Sequence, residues 1–178
     1  MDYLIIDFPP GTSDEPLTVA QSLPDIDGMV IVTTPQDVAL MDSRKSITFA
    51  NSLKVDVIGV VENMSGYTIR GKAAAGTDIQ IAAPAGRTLQ TKSDENGEWS
   101  ITLDIFKSGG GERTAEEFGV PFLGKLPFDP GFVRGGDDGV HRIVSEPDGP
   151  ASVAFAHVVA EIQGRVESSD ADSGLEII

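Results

Sequence analysis

DYLIIDFPPGTSDE, residues 2–15, is the stretch on which the fold turns. Four apolar residues, 3–6, run straight into Asp7, followed by two prolines, Gly11, Thr12 and further carboxylates. A short apolar run ending in acids and turn formers predicts a buried parallel strand. Its carboxyl end would open onto a loop, where open α/β sheets place their ligands. An Asp there suits Mg²⁺ held through water, because a hard cation prefers oxygen ligands. Gly11 would let a backbone N–H approach a phosphate with no Cβ in the way. A strand closed by a simple Pro-Gly turn fits the same residues.

Working outward, residues 15–23 predict a short helix with Asp14 or Ser13 as N-cap and Pro16 near its first turn. Residues 29–33 predict a second strand, with Thr34-Pro35-Gln36 at its carboxyl end. Residues 37–53 carry apolar positions at helical spacing (Val38, Met41, Ile47, Ala50, Leu53). Residues 55–61 predict a third strand, ending in Glu62-Asn63-Met64-Ser65-Gly66. Strand, helix, strand, helix, strand implies a parallel sheet with right-handed crossovers, an α/β fold with flanking helices.

The texture changes at Tyr67. Residues 68–103 alternate instead of running, with Ile79, Ile81, Leu89, Trp99, Ile101 and Leu103 on alternate positions. Asn96-Gly97, between the last two strand-like runs, predicts a hairpin there. This reads as a small antiparallel β insertion decorating a loop, and it resembles part of the bacterial immunoglobulin-like repeats of surface proteins. Parallel texture resumes with a helix over 112–118 and a strand over 120–126, followed by Pro127-Phe128-Asp129-Pro130. Residues 131–149, rich in Gly and Asp, predict an irregular surface loop. Residues 151–166 predict a helix with Val153, Ala156, Val159, Ala160 and Ile162 facing inward. The expected organisation is an α/β domain over 1–67 and 104–166, a β insertion over 68–103, and a disordered acidic tail over 167–178.

Composition narrows the function classes. The 178 residues suffice for one domain with a sizeable core. A formal charge of −15 argues against nucleic acid or an anionic membrane surface as main partner. No apolar run is long enough to span a bilayer, and the amino terminus lacks the pattern of a secretory signal. With no cysteine, the chain has no disulfide, no thiolate nucleophile and no Cys-ligated zinc or iron–sulfur site.

In order and spacing, DYLIIDFPPGTSDE (2–15), VIVTTPQDVAL (30–40), VIGVVENMSGY (57–67), IFKSGGGERTAEEFGVPFLGKLPFDP (105–130) and VRGGDDG (133–139) resemble the second half of the Mrp-type iron–sulfur cluster carrier ATPases, in the MinD-like branch of P-loop NTPases. The resemblance implies ATP and Mg²⁺ as ligands and a [4Fe-4S] cluster as cargo. It also implies a cytoplasmic homodimer that delivers clusters to apo iron–sulfur proteins. It makes Asp7 the catalytic acid that holds Mg²⁺ through water and Gly11 the switch residue near the γ-phosphate. Asn63 would hydrogen-bond the adenine edge, with Pro127 and Phe128 flanking the base. Gln36 and Asp37 would face nucleotide or a second subunit.

The chain departs from that pattern twice. No GKGGVGKS-like phosphate loop occurs, and Gly109–Gly111 lacks the Lys-Ser/Thr that would follow in one. Met1 stands almost at the strand leading to Asp7, as though the first half of the domain had been cut away. Where many relatives carry C-x-x-C, this chain carries the β insertion, and His141 and His157 are poorly placed substitutes, so no iron–sulfur ligands are expected. The leading expectation is an ATP-binding cluster carrier, as a fragment or degenerate member whose enzymatic activity is uncertain. The alternative is a catalytically inactive dimerisation module paired with a full-length homologue. A third reading makes the insertion dominant, as a binding or adhesion protein on a borrowed scaffold.

Overall fold

The structure, a computed structural model, describes residues 3–8, 14–23, 26–83 and 86–173. Its frame is a three-stranded parallel sheet of β1 (Met29–Thr33), β2 (Val57–Glu62) and β7 (Phe122–Lys125), with β2 in the middle. The central position explains the composition of β2. VIGVVE is apolar almost throughout because both of its faces are covered.

One face packs under α2 (Asp37–Leu53) and α3 (Gly110–Phe118), where Ile31, Ile47, Val60 and Ala115 form a core. The other face packs under α6 (Pro150–Ser173), where Val61, Leu123 and Val158 meet. Helices on both faces of a parallel sheet give the expected α/β layering. Helix α2 has the bounds its apolar spacing predicts, and it ends on Lys54, a left-handed residue whose N–H reaches the Ala50 and Asn51 carbonyls.

Residues 3–6 are not the buried strand that their composition predicts. Residues 3–8 carry no strand, and Tyr3, Leu4, Ile5 and Ile6 are 45, 66, 84 and 39% exposed. An apolar run states a preference for a sheet interior but does not supply the neighbour whose N–H and C=O groups complete a ladder. Among the described residues, β1 pairs only with β2, and no backbone hydrogen bond ties residues 3–8 to the sheet. Helix α1 (Asp14–Ser22) follows where a helix is predicted.

Between β2 and α3 lie β3 (Tyr67–Lys72), β4 (Asp78–Ala83), β5 (Arg87–Lys92) and β6 (Glu98–Leu103). Alternate residues of each strand are half-buried, as the period of two requires. The predicted hairpin is corrected. β5 and β6 flank Asn96-Gly97 but do not pair with each other; β3 pairs with β6 and β4 with β5, both antiparallel. The reason lies in the 93–97 connection. Buried Ser93 bonds the Ala74 carbonyl (2.6 Å) and the Thr77 N–H (2.8 Å), and Ala73 N–H donates to Gly97. These contacts hold the turn against residues 73–77, so the chain crosses from one ladder to the other.

Residues 131–149, expected as an irregular loop, contain α4 (Pro130–Asp138) and α5 (Arg142–Ser145). Asp129 caps α4 by accepting from Gly131 N–H at 2.7 Å, with Pro130 in the first turn. Arg142 then bridges Asp129 (3.1 Å) and Glu146, fixing α5 to the cap. On α6 the inward face is Ala151, Ser152 and Val158 with Ile162, whereas Val153, Ala156, Val159 and Ala160 are exposed, contrary to the predicted face. The helix also runs to Ser173, well into the expected tail, because extending a formed helix costs far less than starting one. No helix among the described residues is long and apolar enough to cross a membrane.

Candidate functional site

The carboxyl ends of all three parallel strands lie level, with Thr33 opposite Glu62 and Glu62 opposite Lys125. Three loops therefore leave the sheet side by side: residues 34–36, 63–66 and 126–129. Backbone hydrogen bonds lace them together. Asn63 N–H donates to Thr33 (2.7 Å), Ser65 N–H to Leu126 (2.9 Å), Leu126 N–H to Glu62 (2.8 Å) and Phe128 N–H to Gly66 (2.8 Å). Tyr67 meets Phe128 edge-on, ring centroids 5.8 Å apart.

Asn63, Pro127 and Phe128 are thus brought to one rim, all half-buried. The Asn63 Oδ1 accepts from Met64 N–H at 2.9 Å, and Met64 adopts a left-handed backbone with φ of 55°. Among the described residues nothing accepts from the Asn63 amide nitrogen, which leaves it available as a donor. Asp7 is not joined to this rim. It is exposed on the unpaired segment 3–8, and no hydrogen bond or ion pair among the described residues links it to the strand-end loops. Gly11 lies outside the described residues.

Gln36 and Asp37 begin α2 and are exposed. Asp37 is engaged by Lys107, which reaches it from the segment before α3. That hydrogen bond first, and the ammonium charge second, hold the Asp37 carboxyl below the usual carboxylate range.

The residue that sequence reasoning missed is Glu62. Its side chain is fully buried and has no ion-pair partner among the described residues, yet it is well satisfied. Oε1 accepts from Gly109 N–H (3.0 Å) and from the Ser65 hydroxyl (2.6 Å), and Oε2 accepts from Gly111 N–H (2.7 Å). The opening N–H groups of a helix have no intrahelical partner, and the positive end of the helix dipole favours an anion there. Glu62 supplies that anion from within the chain.

The glycine run is shaped by the same contact. A Cβ on Gly110 would stand 2.8 Å from Leu40 Cδ1 and 2.9 Å from the Pro35 carbonyl oxygen; one on Gly111 would stand 3.0 Å from Glu62 Cβ. Gly109–Gly111 is therefore a close-packed latch in which the Gly109 and Gly111 N–H groups are already taken. The available signal was a lone acid ending an apolar strand.

A metal cluster finds no donors of the expected kind. The chain has no cysteine. Among the described residues no three His, Asp or Glu side chains gather as a metal site. His141 stands at the N-cap position of α5 without a side-chain capping bond, and His157 lies on α6. The residues present do not fit an iron–sulfur cluster. A concavity of about 680 Å³ lies elsewhere, on the β insertion between Arg70, Lys72, Lys92 and Trp99. It is an open groove between two small ladders, and the level strand ends remain the place where this fold presents ligand-binding loops.

The family profile described as ParA, NUBPL iron-transfer P-loop NTPase, matches residues 1–92 and 91–163. An iron-sulfur cluster carrier protein of Methanocaldococcus jannaschii is 40% identical over 167 residues, 94% of this chain and 48% of that protein. One of Methanococcus maripaludis is 37% identical with the same coverage, and one of Synechocystis is 38% identical over 93% of this chain and 39% of its own. The chain thus spans about half the length, or less, of the curated relatives it matches. A solved nucleotide-binding protein from Archaeoglobus fulgidus, in complex with ADP, is 30% identical with a TM-score of 0.55, covering 87% of this chain and 51% of that one. Matched by one profile along most of its length, the chain belongs to the NUBPL-type iron-transfer P-loop NTPases.

Proposed function

We propose that this chain provides the base-binding side of a nucleotide site in an ATP-dependent iron–sulfur cluster carrier that works as a dimer. The observation that carries the reading is the rim formed by Asn63, Pro127 and Phe128 on level strand ends. The Archaeoglobus relative's ADP supports the choice of ligand. In this reading the free Asn63 amide N–H donates to an acceptor on the adenine edge, and the Pro127-Phe128 backbone flanks the base. Asp7 would contribute a water-mediated Mg²⁺ contact and Gly11 a contact near the γ-phosphate. Mg²⁺, when bound, would supply charge neutralisation at the phosphates.

This chain's own residues recognise the base far better than the triphosphate. No phosphate loop is present in the sequence, and Glu62 occupies the Gly109 and Gly111 N–H groups of the glycine run. Cluster transfer to apo iron–sulfur proteins belongs to the whole carrier, and this chain offers a cluster no thiolate. A second reading, an inactive dimerisation module paired with a complete homologue, is favoured by the unattached Asp7.

Titration calorimetry with adenosine and with Mg-ATP separates the two. The proposal expects both to bind weakly and within about threefold of each other, with Asn63→Ala abolishing both. Mg-ATP binding far tighter than adenosine would overturn the base-only view, and no binding of either would favour the inactive module. Iron at stoichiometric levels after anaerobic reconstitution would overturn the statement that this chain holds no cluster.

A further inference from the structure

We infer that Glu62 is a positioning residue that makes the Asn63–Gly66 loop, the amino end of α3 and the root of the β insertion move as one unit. It deepens the reading above for the same rim and rests on it only for what the rim holds. The coupling itself is tested without nucleotide.

Glu62 ends the central strand, so its backbone is fixed by ladders on both sides. From that anchor its two carboxylate oxygens divide between two elements far apart in sequence. Oε1 holds both the Ser65 hydroxyl, in the loop that carries Asn63, and Gly109 N–H; Oε2 holds Gly111 N–H. Ser65 and Gly66 are bonded in turn to Leu126 and Phe128. The loop then enters β3, whose first residue, Tyr67, pairs with Leu103 at the root of the insertion. A displacement of Asn63 by an occupant of the rim therefore reaches Gly109 through one side chain and reaches the insertion through the next residues of the backbone.

A buried carboxylate with no cation is costly unless its hydrogen bonds are complete. Ser65, Gly109 and Gly111 must therefore be held together for Glu62 to stay buried, and the loops cannot part singly without exposing it. Gly110, wedged against Leu40 and the Pro35 carbonyl, carries the unit on to the loop after β1.

Amide hydrogen exchange on the whole chain reads this directly, because the Gly109 and Gly111 N–H groups donate to Glu62. In Glu62→Gln, exchange at Gly109 and Gly111 should rise on the order of tenfold or more. Exchange at Ser65, Gly66 and Tyr67 should rise with it, while the β4–β5 ladder stays unchanged. Ser65→Ala, a milder change at a half-buried position, should raise Gly109 exchange about threefold, because among the described residues the hydrogen bonds of Ser65 lead to α3 only through Glu62. Glu62→Ala with added formate provides a readout that a packing role would not move. A small carboxylate in the vacated space should restore protection at both glycines in the Ala variant but not in the Gln variant. The inference is overturned if Ser65→Ala leaves Gly109 and Gly111 at wild-type rates. It is also overturned if formate fails to protect them in Glu62→Ala, or if Val60→Ala produces the same local pattern. Failure of adenosine to bind would strike the nucleotide reading alone and leave these exchange results to decide the latch.

Discussion

Gly110→Ala and Gly164→Ala make the same chemical change in two helices and should shift stability in opposite directions. Ala is the better helix former by about 1 kcal/mol in a helix interior, so propensity alone predicts stabilisation at both sites. At Gly164, within α6, an added Cβ meets nothing within 4 Å. The expected gain is about 0.5–1 kcal/mol. At Gly110 the added Cβ would meet Leu40 Cδ1 at 2.8 Å and the Pro35 carbonyl oxygen at 2.9 Å. Leu40 can rotate, but Pro35 is fully buried and its carbonyl belongs to the backbone, so α3 must shift instead. Overpacking of this kind costs about 1–3 kcal/mol, and the first helical position recovers little propensity. At this chain length each kcal/mol moves the midpoint by about 2–4 °C. Thermal and urea melts of the two variants should therefore diverge on either side of wild type. The reasoning is refuted if Gly110→Ala melts at or above wild type, because the latch would then have room that the geometry denies it.

Thr114 is fully buried on α3, and its hydroxyl has no partner among the described residues, so Thr114→Val should be neutral or stabilising by up to about 1 kcal/mol. A clear loss in urea melts would show that the hydroxyl is bonded. The Asp37 carboxyl is depressed in the folded state, so the stability it contributes is present above the ordinary carboxylate range and is lost as pH falls through the lowered value. The stability gap between wild type and Lys107→Ala should be full at pH 7 and close on acidification; a gap that widens in acid would contradict this sign. Val32 is 60% exposed on β1, a strand whose outer edge is unpaired among the described residues, so the chain should associate with rising concentration in sedimentation and Val32→Lys should reduce this while changing stability by under about 0.5 kcal/mol. Unchanged association would remove that edge as its cause.

Much of the framework is legible in order along the chain. Helix α2 shows itself because its apolar positions recur at helical spacing, and β2 because its run is too apolar for a strand with an exposed face. The Asp129-Pro130 pair signals the start of α4, but the glycines and aspartates after it mask a short helix held by Arg142. Asn63, Pro127 and Phe128 are identifiable as strand-end residues from sequence, since the end of each apolar run marks where a loop leaves the sheet.

What the residues alone determine is local: which segments prefer strand or helix, where turns must fall, and that no thiolate is available. Partner choice belongs to the tertiary structure. Residues 3–6 have strand composition but no pairing strand among the described residues, β5 and β6 flank a hairpin-forming dipeptide yet pair with other strands, and α6 turns a different face inward. The opening stretch thus names a likeness without placing Asp7 at the rim. Glu62, a single acid at a strand end, becomes the hub because the fold brings two unpaired helix N–H groups and one hydroxyl to its carboxylate. Ladders and buried charges are satisfied by groups distant in sequence, and their geometry exists only once the chain has packed.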